Sequence, residues 1–359
     1  MDKVKVLVVD DSAFMRKLIK DMLSDDHRID VIGTARDGRD ALSKIKMLHP
    51  DVVTLDVEMP IMNGIEALKR IMKETPLPVI MVSSTTTEGA KNTLLAMAYG
   101  AFDFIPKPGG QISPDIYKIK DELIHKVLEA KQANMDQLSG LSQKESPVRL
   151  KPAKKREKTG EIPQEKKSIV LIGTSTGGPR ALEKLLTSLP RDLKAPVLIV
   201  QHMPANFTKL LAERLDTLSS IRVKEAEQGE ILQNGVAYIA PGGKHLLLKQ
   251  IGNTIKTELS TSPPEKGHRP SVDLLFTSAS RIKGYKKIAV VLTGMGSDGT
   301  EGLISLKRSN NLYAIAESEK TSIIYGMPKS AIKTGYVDIV LDIDQIADQI
   351  IKKVNEDDN

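Results

Sequence analysis

A chain of 359 residues, 40% hydrophobic and 27% charged, is too long for one ordinary core and long enough for two. It contains no cysteine, which excludes a disulfide framework, a thiol nucleophile and a thiolate metal site. Its net charge of +6 is local, because positions 144 to 167 hold nine basic residues against four acidic ones; aromatic residues are only 3% of the chain, so nucleic acid is excluded as a partner.

Residues 4–9 are apolar but interrupted by Lys5, too short a run for a signal peptide or a membrane span. A cytoplasmic location with no membrane insertion is therefore expected. Short apolar runs at 4–9, 30–35, 52–55, 79–82 and 102–105 alternate with helical periods such as Phe14, Leu18, Met22 and Ala41, Ile45, Leu48. This pattern predicts a doubly wound (βα)5 parallel sheet, whose ligand crevice lies beyond the carboxyl ends of its strands. The residues that arrive there are Asp10 and Asp11 after the first strand, Asp56 after the third, Ser83 and Ser84 after the fourth, and Lys107 before Pro108. Three converging carboxylates repel one another unless a divalent cation lies among them, and oxygen ligands suit magnesium. A lysine and a hydroxyl opposite them suit a phosphoryl group, with Asp56 as the acceptor of an aspartyl-phosphate. Singly, an aspartate at a strand end is more often a helix cap or a solvated turn; the five positions together reverse that reading and predict a site.

Asp10-Asp11, Asp56 within LDVEMPIMNG, Ser83, Phe104 and Lys107-Pro108 resemble a receiver domain of the response-regulator family over residues 1–125. The resemblance implies that Asp56 is phosphorylated and that Asp10, Asp11, Asp56 and the backbone carbonyl of Glu58 hold Mg2+. It further implies that Ser83 and Lys107 contact the phosphoryl oxygens and that Phe104 stands at an aromatic switch position.

From 126 to 167 Gln, Ser, Lys, Glu and Pro displace the apolar period, predicting a flexible charged linker. A second domain, 168–359, resumes the βα alternation with strands near 169–172, 197–201, 288–292 and 312–316. Runs at 236–239, 245–248 and 254–259 predict a three-stranded antiparallel meander inserted into it.

Residues 168–180 read SIVLIGTSTGGPR, a buried-strand run followed by a glycine-rich turn that fits G-x-S-x-G. Small residues around Ser175 let a sharp strand-to-helix turn present its hydroxyl, and Pro179 suits the first turn of the helix. The N–H of Thr176 is a candidate oxyanion donor. A turn that cradles phosphate is the other reading, although no Walker lysine follows. His202, directly after the strand near 197–201, meets Ser175 at the same sheet edge as a candidate base. His268 in GHRPSVD is a second candidate or a substrate contact. Asp298, in TGMGSDG after the third strand, arrives there too, either as the orienting acid or as the N-cap of the following helix.

The order Ser, His, Asp differs from that of α/β-hydrolases. GTSTGGP, QHMP, HRPSVD and LTGMGSDG instead resemble the catalytic domain of the CheB family of chemotaxis protein-glutamate methylesterases over residues 168–350. The resemblance implies Ser175 as nucleophile, His202 as base, Asp298 as its partner, and Thr176 with the Met295 backbone near the oxyanion, with no metal in that site. It implies methylated chemoreceptors as substrates, with deamidation of receptor glutamines as a related activity, and a chemotaxis histidine kinase as phosphodonor. A two-domain adaptor without catalysis is the rival reading.

Overall fold

The computed structural model describes residues 2–84, 86–107, 116–139, 167–309 and 311–356. The chain begins β1 (Val4–Val9), α1 (Ala13–Ser24), β2 (Ile29–Ala35), α2 (Gly38–Leu48), β3 (Val52–Asp56), α3 (Gly64–Glu74), β4 (Val79–Ser83), α4 (Thr87–Ala98), β5 (Asp103–Pro106) and α5 (Ile116–Ala130). Side chains of Ser12, Asp37, Asn63 and Thr86 accept first-turn N–H groups and start α1 to α4. The strands form a parallel sheet in the order β2-β1-β3-β4-β5, and β3 and β4 are buried at every position. Nearly continuous apolar runs predict that burial. Strand order reverses between β1 and β3, so the crevice opens where Asp10 and Asp56 lie.

Helix α5 continues to Ala130, and α6 (Met135–Ser139) follows, so the expected linker is helical at its start. Val127, Ala130 and Leu138 are buried there, and this packing outweighs the polar composition around them. The rest of that linker, 140–166 with its basic excess, lies outside the described residues, as does Pro108.

The second unit runs β6 (Lys167–Thr174), α7 (Gly178–Thr187), β7 (Val197–Gln201), α8 (Phe207–Leu218), β8 (Arg222–Glu225), β9 (Val236–Ile239), β10 (His245–Ile251) and β11 (Thr254–Ser260). It continues α9 (Val272–Ser280), β12 (Tyr285–Val291), α10 (Thr300–Arg308), β13 (Leu312–Glu317), α11 (Met327–Lys333), β14 (Ile339–Leu341) and α12 (Ile343–Asn355). Seven parallel strands are ordered β14-β13-β12-β6-β7-β9-β8, and β10 with β11 forms a separate antiparallel hairpin. The expected three-stranded meander is thus corrected: β9 belongs to the parallel sheet. All four of its residues are buried, as an interior strand requires, whereas β10 and β11 keep one face partly exposed.

The two units pack through α4 and β5 of the first against α7 and α8 of the second. Phe104 on β5 stacks on Phe207 at the start of α8, with ring centroids 4.6 Å apart and planes at 18°.

Candidate active site

In the second sheet β6 is flanked by β7 on one side and β12 on the other, so the loops leaving these three strands meet at one edge. Ser175 follows β6, His202 follows β7, and the loop 293–298 follows β12. Gly177, at φ 82°, supplies the left-handed turn that lets α7 start three residues after the serine. Ser175 N donates to Thr293 O at 3.1 Å, and a Cβ on Gly294 would stand 2.9 Å from Ser175 Cβ. Only glycine at 294 allows so close an approach of the two loops.

His202 is fixed from one side. Its Nε2 lies 2.7 Å from Asp298 Oδ2, and its buried Nδ1 has no partner. Asp298 in turn accepts from Val272 N at 2.7 Å, Asp273 N at 2.8 Å, Ser271 Oγ at 3.0 Å and Gly299 N at 3.0 Å. It therefore caps α9 from a distant loop; the cap of α10 is Gly299, without a side-chain bond, so the expected cap role goes to a different helix. Burial pushes the Asp298 carboxyl up, but the His202 ring and the α9 N–H groups outweigh it and hold the carboxyl well below the usual range. Ser271, itself the N-cap of α9, was legible as a serine before an apolar run; its bond to Asp298 was not.

His268 stacks on His202, with centroids 3.9 Å apart and planes at 6°. Burial, then the neighbouring His202, push His268 down to about 4, so this ring is neutral near pH 7. His245, in contrast, is buried in the hairpin and meets Pro263 O, far from any role sequence gave it. Met295 is half-buried beside the site. Among the described residues the N–H of Thr176 has no protein acceptor, and its hydroxyl donates to Asp103 Oδ2 of the first unit at 2.6 Å. Asp103 also pairs with Lys126 on α5 at 3.3 Å, and Lys126 donates to Phe104 O at 2.6 Å. Neither Asp103 nor Lys126 was singled out from sequence, since a contact across domains leaves no local pattern.

In the first unit Asp10 and Asp56 are buried and Asp11 is exposed, and each offers a carboxylate oxygen within 4.8 Å of the others. Lys107 Nζ lies 2.8 Å from Asp56 Oδ2 and 3.2 Å from Asp10 Oδ2. Burial pushes Asp56 up to about 6 against the opposing pull of Lys107, with the Asp10 charge adding to the rise. Burial lowers Lys107, but the two aspartates more than offset it. Beyond its ion pair with Lys107, Asp10 Oδ2 makes no hydrogen bond among the described residues, so this buried carboxylate oxygen keeps capacity for a divalent cation. Glu58 N donates to Asp56 Oδ1 at 3.3 Å. Ser83 is the residue the structure does not aim at this cluster: its hydroxyl donates to Gly89 O at 3.1 Å.

The profile of the CheB methylesterase family matches residues 170–350, and that of the response regulator receiver domain matches 6–113. A protein-glutamate methylesterase/protein-glutamine glutaminase of Geobacillus kaustophilus is 58% identical over 357 residues, covering 99% of this chain and all of the relative. The chain belongs to the CheB methylesterase family. The relative of the same description in Bacillus subtilis is 48% identical over 99% of each chain. The crystal structure of the Thermotoga maritima CheB methylesterase catalytic domain is similar with a TM-score of 0.51 and 45% identity, covering 52% of this chain and 98% of that one. The two profiles thus fall on the two sheets, and the CheB methylesterase profile contains Ser175, His202 and Asp298 at the β6–β7–β12 edge. No helix among the described residues is long and apolar enough to cross a membrane.

Proposed function

We propose that this chain is a phosphorylation-controlled serine hydrolase that demethylates glutamyl γ-methyl esters on the cytoplasmic helices of chemoreceptors and releases methanol. The observation that carries this reading is the His202–Asp298 pair at 2.7 Å, held beside the Ser175 turn. In the proposed mechanism His202 Nδ1 takes the proton of Ser175 Oγ as that oxygen attacks the ester carbonyl. Asp298 keeps Nε2–H in place, the reverse of the ring orientation in chymotrypsin-type triads, because here the carboxylate meets Nε2. The N–H groups of Thr176 and Met295 face the developing oxyanion. The His202 proton goes to the departing methoxide; a water then gives a proton to His202 as its oxygen attacks the acyl carbonyl, and His202 returns that proton to Ser175 Oγ as the acyl bond breaks, leaving the glutamate and free serine. An amide in place of the ester follows the same route to ammonia, which is the glutaminase activity in the names of the relatives. His268, neutral and stacked on His202, lines the substrate side.

In the receiver, Asp10, Asp11, Asp56 and the Glu58 carbonyl would hold Mg2+, which supplies positive charge for phosphoryl transfer. Asp56 accepts the phosphoryl group from a histidine kinase, and Lys107 with Ser83 binds its oxygens. For this Ser83 must leave Gly89 O in the first turn of α4, the helix that packs on α7 and α8. The same movement reaches Phe104 and Asp103 on β5, so phosphorylation loosens the contact with Phe207 and Thr176. The domain boundaries that suit this reading are 1–125, 126–167 and 168–359. The deciding experiment mixes the protein with methyl-labelled receptor membranes, with and without a small phosphodonor, and measures methanol. Release that rises with phosphodonor is expected; no release from any receptor set would favour the adaptor.

A further inference from the structure

Behind the Ser175 turn, a cleft lies between α6, α7 and the loops after β12 and β13, and two cations enter it that make no ion pair among the described residues. Arg180, 7% exposed, uses Nη2 to donate to Leu138 O of α6 at 3.1 Å, while its buried Nε and Nη1 have no hydrogen-bond partner among the described residues. Lys184, one turn further along α7, makes no ion pair among the described residues and lines the same cleft. The carboxylates that act on these cations are committed elsewhere. Glu183, which acts on Arg180, pairs with Arg214 at 3.1 Å. Glu317 accepts from Thr293 N at 2.7 Å and from Thr321 Oγ1 at 3.0 Å, and Asp342, which acts on it, is held by Lys320. Burial pushes Glu317 up to about 7, so near neutral pH it offsets only part of the positive charge.

A buried guanidinium with unmet N–H groups is costly unless an acceptor reaches it. Gly177 and the first turn of α7 also line the cleft, where N–H groups favour negative charge. Gln137 of α6 contributes a polar edge at the mouth. We propose that this cleft binds a small oxyanion, with carboxylate or phosphate chemistry, between Arg180 and Lys184. Because Arg180 already reaches α6, the anion joins the segment between the domains to the catalytic unit. This inference is independent of the esterase reading.

The test is equilibrium dialysis of the full chain with labelled sulfate at fixed ionic strength and pH 6, below the Glu317 value of about 7. EDTA and the Asp56→Asn background keep the receiver site out of the measurement. One saturable site per chain is expected, weakened at least tenfold by Lys184→Gln, which leaves the Arg180–Leu138 bond in place, and by Arg180→Gln. Inorganic phosphate and acetate are then added as competitors, and the stronger of the two identifies the chemistry of the natural anion. Absence of saturation, binding undiminished in Lys184→Gln, or sulfate that neither competitor displaces would each overturn the proposal.

Discussion

The hydroxyl of Thr176, the residue after Ser175, donates a 2.6 Å hydrogen bond to Asp103 at the start of receiver strand β5. The receiver therefore holds the turn that carries the nucleophile as well as packing on α7 and α8. Lys126 ties Asp103 to α5, and Phe104 beside it stacks on Phe207. Asp103→Ala is expected to raise basal methanol release several-fold and to shrink the further gain from a phosphodonor, since part of the restraint is already gone. Unchanged basal activity in a folded variant would show that the contact is passive.

Ser175→Ala is expected to leave the fold intact and lower turnover by about 10³-fold or more, because the covalent step depends on that hydroxyl. His202→Ala costs a similar factor, and the double variant is no worse than either alone. Methanol release by each protein, with circular dichroism to check folding, decides this. More than a few per cent residual turnover in the serine variant would move the nucleophile elsewhere.

Much of this architecture is legible in the sequence because parallel strands buried on both faces read as short, nearly continuous apolar runs. The boundaries of β1, β3 and β4 differ from the apolar runs by one residue at most. Strand β8 carries a single apolar residue and β14, though apolar throughout, is only three residues long, so neither stands out, and β9 looks like a hairpin strand because its neighbours in sequence are one. At the site, the residues that strands deliver to one edge were readable: Ser175, His202 and Asp298. What holds them was not, since the Asp298 contacts to Ser271, Val272 and Asp273 span some 25 residues, and Asp103 meets Thr176 across a domain boundary. Ser83 was placed at the right strand end, but its hydroxyl direction depends on the α4 turn.

Asp56→Asn should keep basal esterase activity and lose the response to phosphodonor, because the amide cannot form an acyl-phosphate. It also removes one charge from a cluster in which burial and Asp10 already push Asp56 up to about 6. Stimulation that persists in the variant would place the acceptor at another residue.

Glu317 gives the protein a pH-dependent stability. Its carboxyl stands at about 7 in the folded chain against an ordinary 4.5, so folding favours the protonated form. The contribution is fully present below about pH 4.5 and is lost as pH rises through about 7, a loss of roughly 3 kcal/mol at 1.4 kcal/mol per pKa unit. Glu317→Gln, which cannot ionise, should flatten this slope and leave the variant relatively more stable than wild type at pH 8 than at pH 5. Urea unfolding at both values measures it; parallel curves for the two proteins would place no ionising group there.

The last prediction concerns the catalytic unit without its receiver. Residues from Lys167 onward contain the whole seven-stranded sheet, and the similar Thermotoga maritima structure is of a catalytic domain alone, so a fragment 167–359 should fold. Cutting away the receiver frees the Thr176 hydroxyl and uncovers Phe207, which is 1% exposed in the full chain. The fragment should match or exceed the unphosphorylated full-length enzyme in methanol released per mole. A two-state switch from 1:99 to 99:1 needs about 5.5 kcal/mol, more than typical coupling of about 1 to 3 kcal/mol, so the intact protein should keep basal activity and respond in a graded way. Exposure of Phe207, which stacks on Phe104 in the full chain, should also lower the fragment's solubility. A folded fragment that is markedly slower than the full chain would refute simple inhibition, and would mean that the Asp103 bond helps to build the Ser175 turn.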